Sequence, residues 1–171
     1  LNTESLANQK IINHLKNINS LEFKFTQKIN NNNIEKGECI IAYPKKILCR
    51  YYDTHNKILV SNGKSLVINS DRIKNYYRYP LDKTPLNIIL DKNFLISKIG
   101  NMKKDETYPF HHVYNFDYEN LSIKIFFDKK SLDLIGWETK DIYQNTALTL
   151  LSSVSKNQKI KKKLFKLPVQ N

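Results

Sequence analysis

The rhythm of apolar and polar residues changes once, early in the chain, and the change separates a helix from a long series of strands. Over residues 3–19, Ala7, Ile11, Leu15 and Ile18 recur at spacings of four, four and three, the period of one helical face. Thr3 stands where an N-cap belongs, with Glu4 in the first turn. Ile12 widens the apolar stripe, while Gln9, Asn13, Lys16 and Asn17 fall on the other side, so the helix must lie on something hydrophobic.

From residue 21 the period is two. Leu21, Phe23 and Phe25 alternate with Glu22, Lys24 and Thr26, which predicts a strand buried on one face. Asn30 to Asn33 reads as a turn, and Ile34 to Tyr43 as a strand that stops at Pro44, which has no N–H to give a ladder. Ile47 to Asp53 follows. Ile58 to Ser61 and Lys64 to Ile68 flank Asn62-Gly63, predicting a hairpin closed by a type I′ turn. Arg72 to Tyr79 is a further strand. Between Pro80 and Leu90, Thr84 as cap, Pro85 at the first helical position, and Leu86, Ile89 and Leu90 on one face predict a short helix. Beyond a polar loop at Asn101 to Thr107, strands are expected at Tyr108 to Tyr118, Leu121 to Asp128, Leu132 to Lys140 and Asn145 to Ser153.

Many strands in succession, tight connections and two helices predict a mainly β (α+β) fold. Its form is a strongly curved, incomplete antiparallel β-barrel, because a flat sheet of this width would expose edges and a large apolar face. Residues 1–171 read as a single domain, with no boundary in composition and no internal repeat. The N-terminal and central helices would cover the apolar face. That face is supplied by Leu21, Phe23, Phe25, Ile41, Leu59, Leu121, Ile123, Ile125 and Phe127, met by Leu86 and Ile89 from the central helix. Periodicity fits a dry core and a ligand cavity equally, since both need the same alternation.

Charge adds one question. The formal net charge is +12, and a basic surface suits nucleic acid or anionic lipid. Lysine is spread along the whole chain, however, and only residues 156–166 concentrate it, so most of this charge reads as solvated surface. A nucleic-acid-binding role would need aromatic side chains exposed among those lysines, and the segment holds only Phe165. No run approaches the roughly 18 consecutive apolar residues of a membrane-spanning helix. The chain starts at Leu1 without an initiator Met, which fits removal of a leader and fits trimming equally; without Cys at position 1, an N-terminal lipid anchor is not expected.

Candidate chemistry is sparse. Cys39 and Cys49 lie either side of a turn at Tyr43 to Lys46 and share a face if that turn is regular, which suits a cross-strand disulfide or two buried thiols. His111 and His112 are neighbours on a strand and point to opposite faces, so they do not form a chelating pair. There is no phosphate-binding glycine loop and no nucleophile elbow. Asp71, Asp82, Asp91, Asp128 and Asp133 fall at turns or solvent-facing positions, where nothing prepares a carboxylate for acid–base work. Neither an enzyme nor a cofactor is expected.

Several short motifs then occur in a fixed order along nearly the whole chain. They are Phe25-Thr26-Gln27, Gly37 with Pro44 closing the strand it opens, and Leu59-Val60-Ser61-Asn62-Gly63-Lys64. Thr84-Pro85-Leu86, Leu134-Ile135-Gly136-Trp137 with Asp141, and Leu164-Phe165-Lys166-Leu167-Pro168 follow. In this order the chain resembles the LolA-type outer-membrane lipoprotein carriers. The resemblance implies a periplasmic carrier that shelters acyl chains of lipoproteins in the concave face. It also implies receipt from an ATP-driven inner-membrane release complex and delivery to an outer-membrane acceptor, as a monomer. The expected acyl-binding cavity and lid are Phe23, Phe25, Ile41, Tyr43, Leu59, Leu86, Ile89, Leu90, Ile123, Ile125 and Phe127. The resemblance departs at Tyr43, where many members carry the Arg implied to tie the lid shut; a phenol has no charge and no guanidinium fork. A lipid-binding or lipoprotein-sensing module of the same architecture is the alternative.

Overall fold

The computed structural model describes residues 3–169 apart from 53, 73–75 and 142, with side chains from residue 6 onward. The change of period marks the boundary between α1 (Thr3–Lys16) and β1 (Ser20–Ile29). Then come β2 (Asn33–Ala42), β3 (Lys46–Tyr51), β4 (Ile58–Asn62), β5 (Ser65–Asn69) and β6 (Tyr77–Pro80). A 3-10 turn (Leu81–Lys83), α2 (Leu86–Ile89) and α3 (Lys92–Ile99) separate these from β7 (His111–Tyr118), β8 (Leu121–Asp128), β9 (Leu134–Lys140) and β10 (Thr146–Lys156). The strand expected from Arg72 is observed only over Tyr77–Pro80, part of the expected stretch lying outside the described residues. The expected end of β3 at Asp53 lies outside them as well.

All pairings are antiparallel, and the sheet runs β6-β5-β4-β3-β2-β1-β10-β9-β8-β7. The non-sequential neighbours are β1 and β10, which fuse two meanders into one curved surface; β6 and β7 remain unpaired edges, so the barrel is incomplete. Across the gap between those edges, the Tyr118 hydroxyl of β7 donates to the Asp82 carbonyl just beyond β6.

The inner face is the predicted one except at Leu121, which is half-buried and lies outside the core cluster. Phe23, Phe25, Ile41, Ile123, Ile125 and Phe127 are buried in one cluster together with Ile11, Leu15 and Ile18. α1 ends at Lys16, three residues short of expectation, and Ile18 reaches the core from the turn that follows. Asn8 is buried among the apolar residues and is satisfied there: its amide donates to the Met102 carbonyl (2.8 Å) and its oxygen accepts from the Tyr114 hydroxyl (2.5 Å). Gly37 lets the Phe25 ring of β1 lie over β2, since a Cβ there would stand 2.2 Å from the Arg50 carbonyl oxygen of β3 and 2.8 Å from that ring.

Three local expectations need correction. The β4–β5 hairpin exists, but its turn is not type I′. Only Gly63 has positive φ (101°), and the Asn62 side chain instead accepts from the N–H groups of Lys64 and Ser65. Thr84 does not cap α2; its hydroxyl turns back to the Leu81 carbonyl (2.9 Å), and Pro85 occupies the N-cap. α3 is an element that the strand and helix pattern did not predict. Asp91 caps it by accepting from the Phe94 N–H (3.0 Å), and Leu95 and Ile99 anchor it in the core.

Cys39 and Cys49 face each other in register across β2 and β3 and form a disulfide. On the outer face, the C-terminal segment folds back through a 3-10 turn (Lys162–Phe165), and Phe165 packs with Leu48 and Val60 of β3 and β4. The aromatic residue of the lysine-rich end is therefore buried, and its lysines stay in solvent.

Candidate functional site

A cavity of about 130 Å³ lies between the concave face and α2. Pro85, Leu86 and Ile89 bound it on the helix side, and residues of β1, β2, β3, β4, β9 and β10 on the sheet side. Of the residues expected to bind acyl chains, Phe25, Leu59, Leu86 and Ile89 line this cavity. Phe23, Ile41, Leu90, Ile123, Ile125 and Phe127 are buried in the same core behind its walls, and Tyr43 and Leu59 pack against that core from its margin. Sequence reasoning did not place Cys39, Ile47, Cys49, Trp137 or Ala147 on the cavity wall, nor the polar Gln27, Tyr51, Thr139 and Thr149. A signal for several of them existed: Gln27 stands two residues beyond Phe25, and Thr139 two beyond Trp137, so strand parity turns them inward.

Size decides what the cavity can do as it stands. An apolar cavity of about 150 Å³ admits a molecule the size of benzene, so this one, as it stands, takes only a group of about that size.

The lid is held at one end by the turn between β2 and β3. The Lys45 N–H donates to the Leu90 carbonyl at the end of α2 (3.0 Å), and the Lys45 ammonium stands 3.5 Å from the Asp91 carboxylate. That ion pair is partly exposed and adds little. Ser61, fully buried, fixes the turn by donating to the Lys45 carbonyl (2.8 Å) and accepting from the Gly63 N–H (3.1 Å). Among the described residues Tyr43 makes no hydrogen bond to α2 through its side chain: its ring packs against the core 5.8 Å from the Lys92 ammonium, and burial pushes its phenol well above the ordinary tyrosine range. With no arginine at 43, the contact from this turn to the lid comes from Lys45, two residues on.

The hairpin end of the cavity is polar. The Gln27 amide donates to the Thr149 hydroxyl (3.0 Å), Glu35 pairs with Lys57 (3.1 Å), and the Lys57 ammonium lies 4.3 Å from the centre of the Tyr51 ring. Burial, with the nearby Glu35 charge, raises the Tyr51 phenol, which stays neutral. Among the described residues no group of three or more His, Cys, Asp or Glu is placed to hold a metal ion, and no helix is long and apolar enough to cross a membrane.

Comparison with known proteins agrees with this geometry. The family model described as outer membrane lipoprotein carrier protein LolA matches residues 16–168. A LolA-superfamily protein from Nitrosomonas europaea shares the fold at TM-score 0.50 and 8% identity, over 93% of this chain and 97% of that one. A putative outer-membrane lipoprotein-sorting protein domain from Vibrio parahaemolyticus does so at TM-score 0.52 and 9% identity, over 94% and 95%. A search of curated proteins by sequence finds no match. Since the family model spans the whole sheet, α2, α3 and the returning C-terminal segment, the chain belongs to the LolA family of outer membrane lipoprotein carrier proteins.

Proposed function

We propose that this protein carries lipoproteins across the periplasm, sheltering their acyl chains between α2 and the concave face. In this reading it receives them from an inner-membrane release complex and gives them to an outer-membrane acceptor. The observation that carries the reading is the apolar cavity under a lid of only four residues, in a chain of the lipoprotein-carrier family. The Cys39–Cys49 disulfide supports an oxidising compartment such as the periplasm.

The proposed acyl-binding surface starts with Phe25, Leu59, Leu86 and Ile89 on the cavity wall. It extends, as the lid moves, to Phe23, Ile41, Tyr43, Leu90, Ile123, Ile125 and Phe127. Release needs no fuel if the empty lid recovers on closing most of the contacts it gave up on loading.

Trp137, the single tryptophan, lies on the cavity wall and reports occupancy. A diacylated lipopeptide with brominated chains is expected to quench its fluorescence in wild-type protein, and less so in Leu86→Gln. A lipoprotein taken from membrane vesicles should then appear in a soluble one-to-one complex and pass to acceptor vesicles. Quenching without transfer would replace the carrier with a lipoprotein-sensing module, and the absence of both would remove the acyl site.

A further inference from the structure

The C-terminal segment that folds back over the convex face concentrates charge of one sign. No Asp or Glu follows Asp141, while Lys156, Lys159, Lys161, Lys162, Lys163 and Lys166 are all exposed. Lys156 pairs with Asp133 (2.9 Å); among the described residues the other five make no ion pair. The course of the segment is fixed at both ends. At one end the Asn157 amide donates to the Asn17 carbonyl (2.8 Å), its oxygen accepts from the Asn19 N–H (2.7 Å), and the Ser20 hydroxyl donates to the Gln158 carbonyl (3.1 Å). At the other, Phe165 is buried against Leu48 and Val60, with Ile160, Leu164 and Leu167 half-buried beside it. Parity sets this contact on the outside of the sheet: Ile47 and Cys49 line the cavity, and Leu48 between them points the opposite way. Lys46, two residues from Leu48, adds to the same sign on that face, while Arg50 stands opposite Glu38 across the β2–β3 ladder. Like charges held together without a counter-charge repel one another, and the fold bears that cost.

A negative surface would relieve the repulsion, and the side chains of the segment select the kind. Every cation in it is a lysine, a point charge without the fork by which arginine grips a single phosphate or carboxylate in two places. That suits many mobile headgroups better than one docked anion. Aliphatic side chains stand among the lysines, with Leu164 and Leu167 half-buried and Val169 79% exposed. The ring on which a nucleic acid base would stack, Phe165, is turned into the protein. We propose that residues 156–169 form a docking surface for a bilayer rich in anionic phospholipid. Docked in this way, the protein lies on its convex side and leaves the concave face, α2 and the cavity free. Such docking needs no cargo, so it holds whether or not the cavity takes acyl chains.

The test is co-sedimentation of the empty protein with vesicles of phosphatidylcholine alone or of phosphatidylcholine mixed with phosphatidylglycerol. Wild-type protein is expected to bind the anionic vesicles at low salt, to leave them as added salt shortens the reach of its charges, and to ignore the neutral ones. The triple variant Lys161→Gln, Lys162→Gln and Lys163→Gln should lose about a hundredfold in partitioning, about fivefold for each lysine near such a surface. A second triple variant, Lys10→Gln, Lys130→Gln and Lys140→Gln, removes the same charge from exposed positions on α1, the β8–β9 turn and the end of β9, and should partition nearly as the wild type does. Equal losses in the two variants would reduce the effect to net charge and overturn the docking surface. No binding to anionic vesicles at low salt, or equal binding to neutral ones, would overturn it too. Salt-sensitive binding of a single-stranded oligonucleotide that is tighter than binding to the anionic vesicles, and is lost in the first variant, would assign the lysines to nucleic acid instead. None of these outcomes touches the carrier reading, which is tested by acyl binding at Trp137.

Discussion

At Gly136 a side chain of any kind has nowhere to go. A Cβ there would lie 2.2 Å from the Thr149 carbonyl oxygen and 3.2 Å from the Leu150 Cα, both backbone atoms of the adjoining strand. The neighbour cannot rotate away, so β9 and β10 would have to separate, and Gly136→Ala is expected to cost about 1–3 kcal/mol, read from the urea midpoint. Trp137 follows immediately, so the same separation should shift its emission. Residues of this kind show where sequence reading stops. Phe25, Leu59, Leu86 and Ile89 were legible as wall residues because their parity or helical spacing marks an apolar face. Thr139, Thr149 and Tyr51 occupy the same kind of position but break the apolar pattern, and alternation alone reads a polar residue there as noise. The closeness of Gly136 to Thr149 is a contact across strands and has no local signature.

Among the elements, the β2–β3 pair has its own staple. The disulfide joins residues 10 apart in sequence, and in the chain-entropy account a loop of that length contributes about 2–3 kcal/mol by restricting the unfolded state. The double variant Cys39→Ala with Cys49→Ala is expected to lower the denaturation midpoint accordingly. It should also let the turn that grips Leu90 move more freely, read as faster amide exchange at Lys45. An unchanged midpoint would place the restraint in the ladder alone. Most strands are readable from the sequence, since one buried face gives β1 and β2 a period of two, as at Leu21, Phe23 and Phe25 and at Gly37, Cys39 and Ile41. α3 was missed although its signals were present: Asp91 before it, Gly100 after it, and Leu95 and Ile99 four apart. By position Asp91 reads as a solvent-facing turn carboxylate, and only its bond to the Phe94 N–H reveals it as the cap of the helix behind it. The type I′ turn failed for a related reason, because the Asn62 side chain supplied the turn's hydrogen bonds itself.

For the molecule as a whole, Asp133 joins distant parts. It accepts from the His14 ring of α1 (2.8 Å) and from the Lys156 ammonium at the end of β10 (2.9 Å). Burial opposes its ionisation, but the bonds from Lys156 and His14 outweigh that and hold its carboxyl below the usual range. A depressed carboxyl contributes stability that is fully present above its unfolded value, about 3.9, and is lost as pH falls through the lower folded value. Wild-type protein should therefore lose stability in acid more steeply than Asp133→Asn below about pH 4. Parallel acid profiles for the two would deny this link between helix and sheet. No local pattern announces such a tie, nor the pairing of β1 with β10, since each depends on residues more than a hundred positions apart. The incomplete barrel was legible only as a need to bend a wide apolar sheet, together with the order of motifs.

The unpaired edges have a mechanical meaning. A closed barrel can widen only by breaking rungs of its ladder, each a pair of backbone hydrogen bonds. Here the two rims of the sheet are linked, among the described residues, by the single reach of Tyr118 to Asp82. On the proposed carrier reading, widening would therefore leave every strand pair intact, and one frame would fit cargoes of differing bulk.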